Sequence, residues 1–80
     1  MSERMSFKLQ RLELREKHAF LEAKTKNTLS SLRKILNPAI PLTSIREEDA
    51  LGTMAALVQQ IVELRGVESQ IEILNAELDG

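Results

Sequence analysis

The chain contains no cysteine, no tryptophan and no tyrosine. Without cysteine there can be no disulfide and no thiolate metal site, and the redox compartment is left open. Phe7 and Phe20 are the sole aromatics apart from His18, so surfaces that stack bases on aromatic rings have little to work with. The three glycines are scattered, at 52, 66 and 80, and build no phosphate-binding loop. No apolar run approaches the ~20 residues that span a bilayer. The opening MSERMSFKLQ carries charge with no apolar run behind it, unlike a secretory signal. These absences lead to the expectation of a cytoplasmic protein with no membrane role. Eighty residues make one small domain at most, with a limited core of its own.

What is abundant is Leu, Ile, Val, Ala, Glu, Lys, Arg and Gln, the composition of long helices and coiled coils. Phe7, Leu14, Leu21, Thr28 and Ile35 recur every seven residues. Arg11, His18, Thr25 and Leu32 fill the intermediate positions, with Leu29 and Leu36 beside them. Steps of three and four put these on one face of a helix over about 3–36. Ser2 is a candidate N-cap, and Asn37-Pro38 ends the helix because proline disfavours helical geometry in the residue before it. TKNTLSS, residues 25–31, is poor in helix propensity and leaves room for a local irregularity.

A second helix is expected over about 44–79, after a loop at 37–43. Ser44 and Glu47 have the spacing of a capping box, and Glu47, Glu48 and Asp49 suit the positive end of the helix dipole. Leu57, Ile61, Leu64, Val67, Ile71, Leu74 and Leu78 step along one face. Gly66 interrupts this helix, either as a tolerated surface glycine or as a point of close approach by another helix. The predicted fold is therefore all-α: a long antiparallel helical hairpin in a single domain, residues 1–80.

Charge divides between the halves. Residues 1–37 hold nine basic and four acidic residues, a net of +5; residues 38–80 hold two basic and eight acidic, a net of −6. In a hairpin whose turn centres near residue 40, Lys8 falls near Glu72, Arg11 near Glu68 or Glu72, and Lys17 near Glu63. Phe7 then meets Leu74, Leu14 meets Val67, and Leu21 meets Ile61. Opposite charges select this pairing more than they hold it, since an exposed pair contributes at most ~1 kcal/mol.

A two-helix hairpin needs one apolar stripe per helix, and this chain has more. Met5, Leu9, Leu12, Ala19, Phe20 and Ala23 lie roughly opposite the Phe7 stripe; Leu51, Ala55, Val58 and Val62 form a second run on helix 2. Such a surplus marks an interface. Self-association into a homo-oligomer, a dimer or tetramer built as a four-helix bundle, is expected through Met5, Leu9, Leu12, Phe20, Leu51, Val58 and Val62.

Candidates for chemistry are few. His18 has no Glu three residues before it and no HExxH around it, so a partly buried interfacial histidine is expected rather than a metal ligand. Glu13/Glu16 and Glu68/Glu72 have the spacing of salt-bridging helix faces. Ser30-Ser31 has no general base nearby in sequence. Neither enzymatic activity nor a cofactor is expected. Arg4, Lys8, Arg11 and Arg15, spaced by four, three and four, form a basic stripe that supports an alternative reading as a nucleic-acid-associated protein. The PAIPL tip offers Ile40 and Leu42, either as a cap folded over the end of the bundle or as a stiff apolar knob for a protein partner. The outline resembles small helical hairpins that serve as adaptors, assembly factors or secretion chaperones, a likeness of architecture that rests on no motif.

Overall fold

The computed structural model describes residues 3–79 and is a helical hairpin. Helix α1 runs Glu3–Ile35 and helix α2 Glu47–Asp79, 33 residues each. They pack against each other along a rod of 60 × 16 × 14 Å. There is no strand among the described residues. The proposed N-cap Ser2 lies outside them.

Nothing inside α1 breaks a helix: residues 3–35 contain neither glycine nor proline. TKNTLSS stays α-helical because its hydroxyls turn inward on the helix itself. Thr25 donates to Leu21 O at 2.6 Å, Thr28 to Lys24 O at 3.1 Å and Ser31 to Asn27 O at 3.1 Å. Bonding back to the i−4 carbonyl satisfies each hydroxyl without opening the backbone ladder. Arg33 and Lys34 sit in the last turn, at the negative end of the dipole. After Leu36 N–H closes on Leu32 O, Asn37 turns the chain, its side-chain oxygen taking the Ala39 N–H at 2.9 Å and its carbonyl the Ile40 N–H at 3.0 Å.

The start of α2 corrects the sequence expectation. Ser44 does not cap it. Residues Leu42–Ser44 form a short 3-10 turn in which Ser44 N–H donates to Pro41 O and Ile45 N–H to Leu42 O. Ile45 then runs extended, at φ −68 and ψ 131. The first helical bond goes from Ala50 N–H to Arg46 O, which makes Arg46 the N-cap. Half-buried Ile45 and Ala50 have the spacing of a hydrophobic staple about that cap. An apolar anchor thus outweighs the polar signature of Ser44 and Glu47. The acidic residues 47–49 still occupy the first turn, as the dipole favours.

The connection, residues 36–46, is longer than expected, and the register differs as well. Arg11 Nη1 donates to Asn75 Oδ1 at 2.9 Å, and His18 Nε2 lies 3.5 Å from Glu68 Oε2. In both pairs the residue numbers sum to 86 rather than the expected 80. The partner of each α1 residue is displaced by six positions, roughly 9 Å of helix. The anticipated ion pairs of Lys8, Arg11 and Lys17 with Glu63, Glu68 and Glu72 do not form. Among the described residues Lys26 pairs with Glu22 and Arg46 with Asp49, and the His18 ring lies against Glu22 and Glu68. Among the described residues no lysine or arginine of α1 pairs with a carboxylate of α2.

The seam itself is made of the expected face. Leu21, Leu32 and Ile35 of α1 and Leu57, Val67, Leu74 and Leu78 of α2 are buried, flanked by half-buried Phe7, Leu14, Thr25, Leu29, Ile61, Leu64 and Ile71. Even the most enclosed of these retains some exposure. Seven buried side chains are a thin core for a chain that must order two long helices.

Candidate interaction surfaces

Because the seam repeats every seven residues, the two flanks of the rod do too. One flank is identified by the groove of about 340 Å³ that Arg15, His18, Glu68, Ile71, Glu72 and Asn75 line. Here His18, 28% exposed, stands between two carboxylates: its Nδ1 is 3.7 Å from Glu22 Oε2 and its Nε2 3.5 Å from Glu68 Oε2. It is the partly buried interfacial histidine the spacing suggests, and it ties α1 to α2. Among the described residues no group of three or more His, Asp or Glu side chains is arranged to hold a metal ion.

Steps of seven carry the histidine flank toward the turn. From Arg15 and Glu22 they lead to Leu29 and Leu36, from Glu68 to Ile61 and Met54, and from Glu72 to Arg65, Val58 and Leu51. Charged at the open end, the flank becomes largely apolar at the turn. Leu36, Leu51, Met54 and Val58 are all exposed, Leu51 at 74%.

The opposite flank carries an open groove of about 480 Å³ lined by Gln10, Glu13, Leu14, Lys17, Gln70, Ile73 and Leu74. Nearer the turn it is lined by Thr28, Ser31, Gly52, Thr53 and Ala56. Phe20, seven residues after Glu13, belongs to this flank and is 69% exposed; Ile73, in the groove with Glu13, is exposed as well. The single stripe expected on α1 is therefore divided. Leu12, four residues after Lys8 and three before Arg15, borders the histidine flank, as does Met5 one heptad earlier. Leu9 runs along the outermost ridge, and Phe20 faces the other way. On α2, Leu51 and Val58 border the histidine flank while Val62 lies on the outer ridge. All seven are exposed. Gly52 and Gly66 lie on the opposite flank of α2, and a methyl group added to either meets open space. Within the hairpin neither glycine marks a close approach.

Leu36, Met54 and Ile73 were not among the exposed apolar candidates read from the sequence. Leu36 was placed on the inner face, but α1 ends as the turn begins and leaves it 49% exposed. Ile73 continues the row of Gly52 and Gly66, off the seam, and that spacing was the signal that could have found it; Met54 sits one heptad from half-buried Ile61, a spacing that points it toward the seam and gives no sign of its exposure. Gln60 is the reverse case, a polar residue in the α2 seam whose Oε1 is buried and accepts no hydrogen bond from the described residues.

Ile40 is half-buried and Leu42 is 86% exposed. The tip closes the end of the hairpin with Ile40 alone, and Leu42 points outward, which corrects the picture of both folded back as a cap. The basic stripe is also redistributed. Arg4, Lys8 and Arg15 are exposed, while Arg11 is half-buried and committed to Asn75. Arg15 shares its groove with Glu68 and Glu72, so the basic edge runs beside an acidic one.

No helix among the described residues is long and apolar enough to cross a membrane. Comparison with protein-family models, curated proteins and solved structures found no match for this chain.

Proposed function

We propose that this chain is a non-enzymatic, cytoplasmic helical-hairpin module that associates with itself and serves as an interaction scaffold for another protein, in the manner of an adaptor, assembly factor or chaperone. The observation that carries the reading is the imbalance between inside and outside. Seven apolar side chains are buried in the hairpin, whereas eleven large ones among the described residues stay exposed. Surplus apolar surface on a small rod is covered by association. A four-helix bundle is the simplest assembly of two hairpins. The outward Leu42, held on a turn stiffened by Pro38 and Pro41, then remains for a protein partner, because a stiff loop loses little entropy on docking.

The test is the native mass of the purified chain by light scattering behind a sizing column. A discrete dimer or tetramer supports the reading; a monomer across the accessible concentration range removes it. A second reading, nucleic-acid association, draws on exposed Arg4, Lys8 and Arg15. It requires binding that falls steeply with salt, and the absence of any mobility shift at low salt would end it.

A further inference from the structure

The two halves of the chain are strongly and oppositely charged, yet among the described residues no lysine or arginine of α1 is paired with a carboxylate of α2. The complementarity is left unspent inside the hairpin. The histidine flank shows where it can be used. At its open end Arg15 of α1 lies beside Glu68 and Glu72 of α2, with Lys8 one heptad before Arg15; at its turn end Leu36, Leu51, Met54 and Val58 stand exposed.

We infer that two copies of this chain associate through their histidine flanks with both turns at the same end, α1 of each lying along α2 of the other. The inference rests on the self-association proposed above and specifies its occupant and geometry. A two-fold axis parallel to the rod makes the arrangement. It keeps every residue at its own height while exchanging the two helices across the interface, so the intramolecular register applies between copies as well. Leu29 and Leu36 of one copy then come level with residues 57 and 50 of the second, among its Leu51, Met54 and Val58. Lys8 and Arg15 come level with residues 78 and 71, beside the second copy's Glu72 and Asp79. Apolar surface meets apolar surface, basic meets acidic, and every neighbouring pair of helices is antiparallel, as in a four-helix bundle. The other face-to-face two-fold arrangement turns one hairpin end for end. It lays α1 against α1, basic on basic, and sets the apolar turn end of one copy over the charged open end of the other. Both charge and apolarity reject it.

The chain has no cysteine, so one introduced thiol labels one place. The experiment attaches a spin label to A39C at the exposed tip and measures native mass and label-to-label distance on the same full-length sample. The expected result is a dimer with labels separated by the width of a bundle, about 20 Å plus the label arms. Met54→Glu should shift the mass from two chains to one, while Phe20→Glu on the opposite flank should leave it at two; circular dichroism reports whether each variant is still helical. A dimer whose tips are apart by nearly the 60 Å length of the rod overturns the inference and leaves self-association standing. So does a dimer that Phe20→Glu dissociates and Met54→Glu does not. A monomeric chain overturns both. The distance needs no interface variant, so a Met54→Glu chain that fails to fold does not remove the test.

Discussion

Helices α1 and α2 are equal in length, but they divide their side chains differently. No charged residue occurs between Asp49 and Glu63 of α2, and apolar side chains there point inward, to the histidine flank and to the outer ridge. At the same height α1 carries Lys24, Lys26, Arg33 and Lys34. A helix with apolar residues on one face asks for a single neighbour, whereas one apolar on several sides is built to be covered on several. Near the turn α1 is thus a charged surface helix, whereas α2 there leaves apolar side chains exposed on two sides.

The strongest way to break that comparison is to separate the seam from the outside. Leu74→Ala, at a buried site that only the hairpin uses, should destabilise by about 2–5 kcal/mol. Thermal melts followed by circular dichroism should show a large fall in midpoint. Val62→Asp on the outer ridge should leave the hairpin's helicity intact. If the two substitutions act alike, the distinction between seam and outside is wrong.

A smaller effect comes from the seam's own polar defect. Replacing Gln60 by leucine removes a buried acceptor without a partner, and about 1 kcal/mol of stabilisation is expected. A lowered melting midpoint would show that the oxygen is satisfied in the working assembly. Breaking the half-buried bond between Arg11 and Asn75 with Asn75→Ala should cost about 0.5–1.5 kcal/mol, read from denaturant midpoints. Gly66→Ala should stabilise by up to about 1 kcal/mol, because the added methyl meets open space. A loss of stability there would mean that a second copy approaches α2 on the flank opposite the histidine.

The hairpin was legible because the heptad spacing of leucines, isoleucines and valines fixes both the helices and their facing sides. Asn37-Pro38 ended α1 close to where it ends. The other boundary was misread: Ser44 and Glu47 carry a cap signature, but half-buried Ile45 holds the chain extended and delays α2 to Glu47. The register was misread as well, because it was counted from the centre of the turn. The delay moves the centre of the turn by only one residue, less than the observed shift of register, so counting from the turn does not recover the contacts at Asn75 and Glu68 that stand in place of the expected ion pairs of Lys8, Arg11 and Lys17. The surface candidates were legible as a surplus but not as a layout. Phe20 and Leu12 differ by eight residues and look like one stripe on paper, yet the seam between the helices puts them on opposite flanks.

We propose that the apolar turn end of the histidine flank, Leu36, Leu51, Met54 and Val58, is covered by another copy of the same chain. Light scattering behind a sizing column, at low and at moderate salt, tests it most directly. The account predicts a discrete dimer at both salts, since apolar burial holds the interface and screened charges mainly select its orientation. A monomer of 9.0 kDa at both would contradict it.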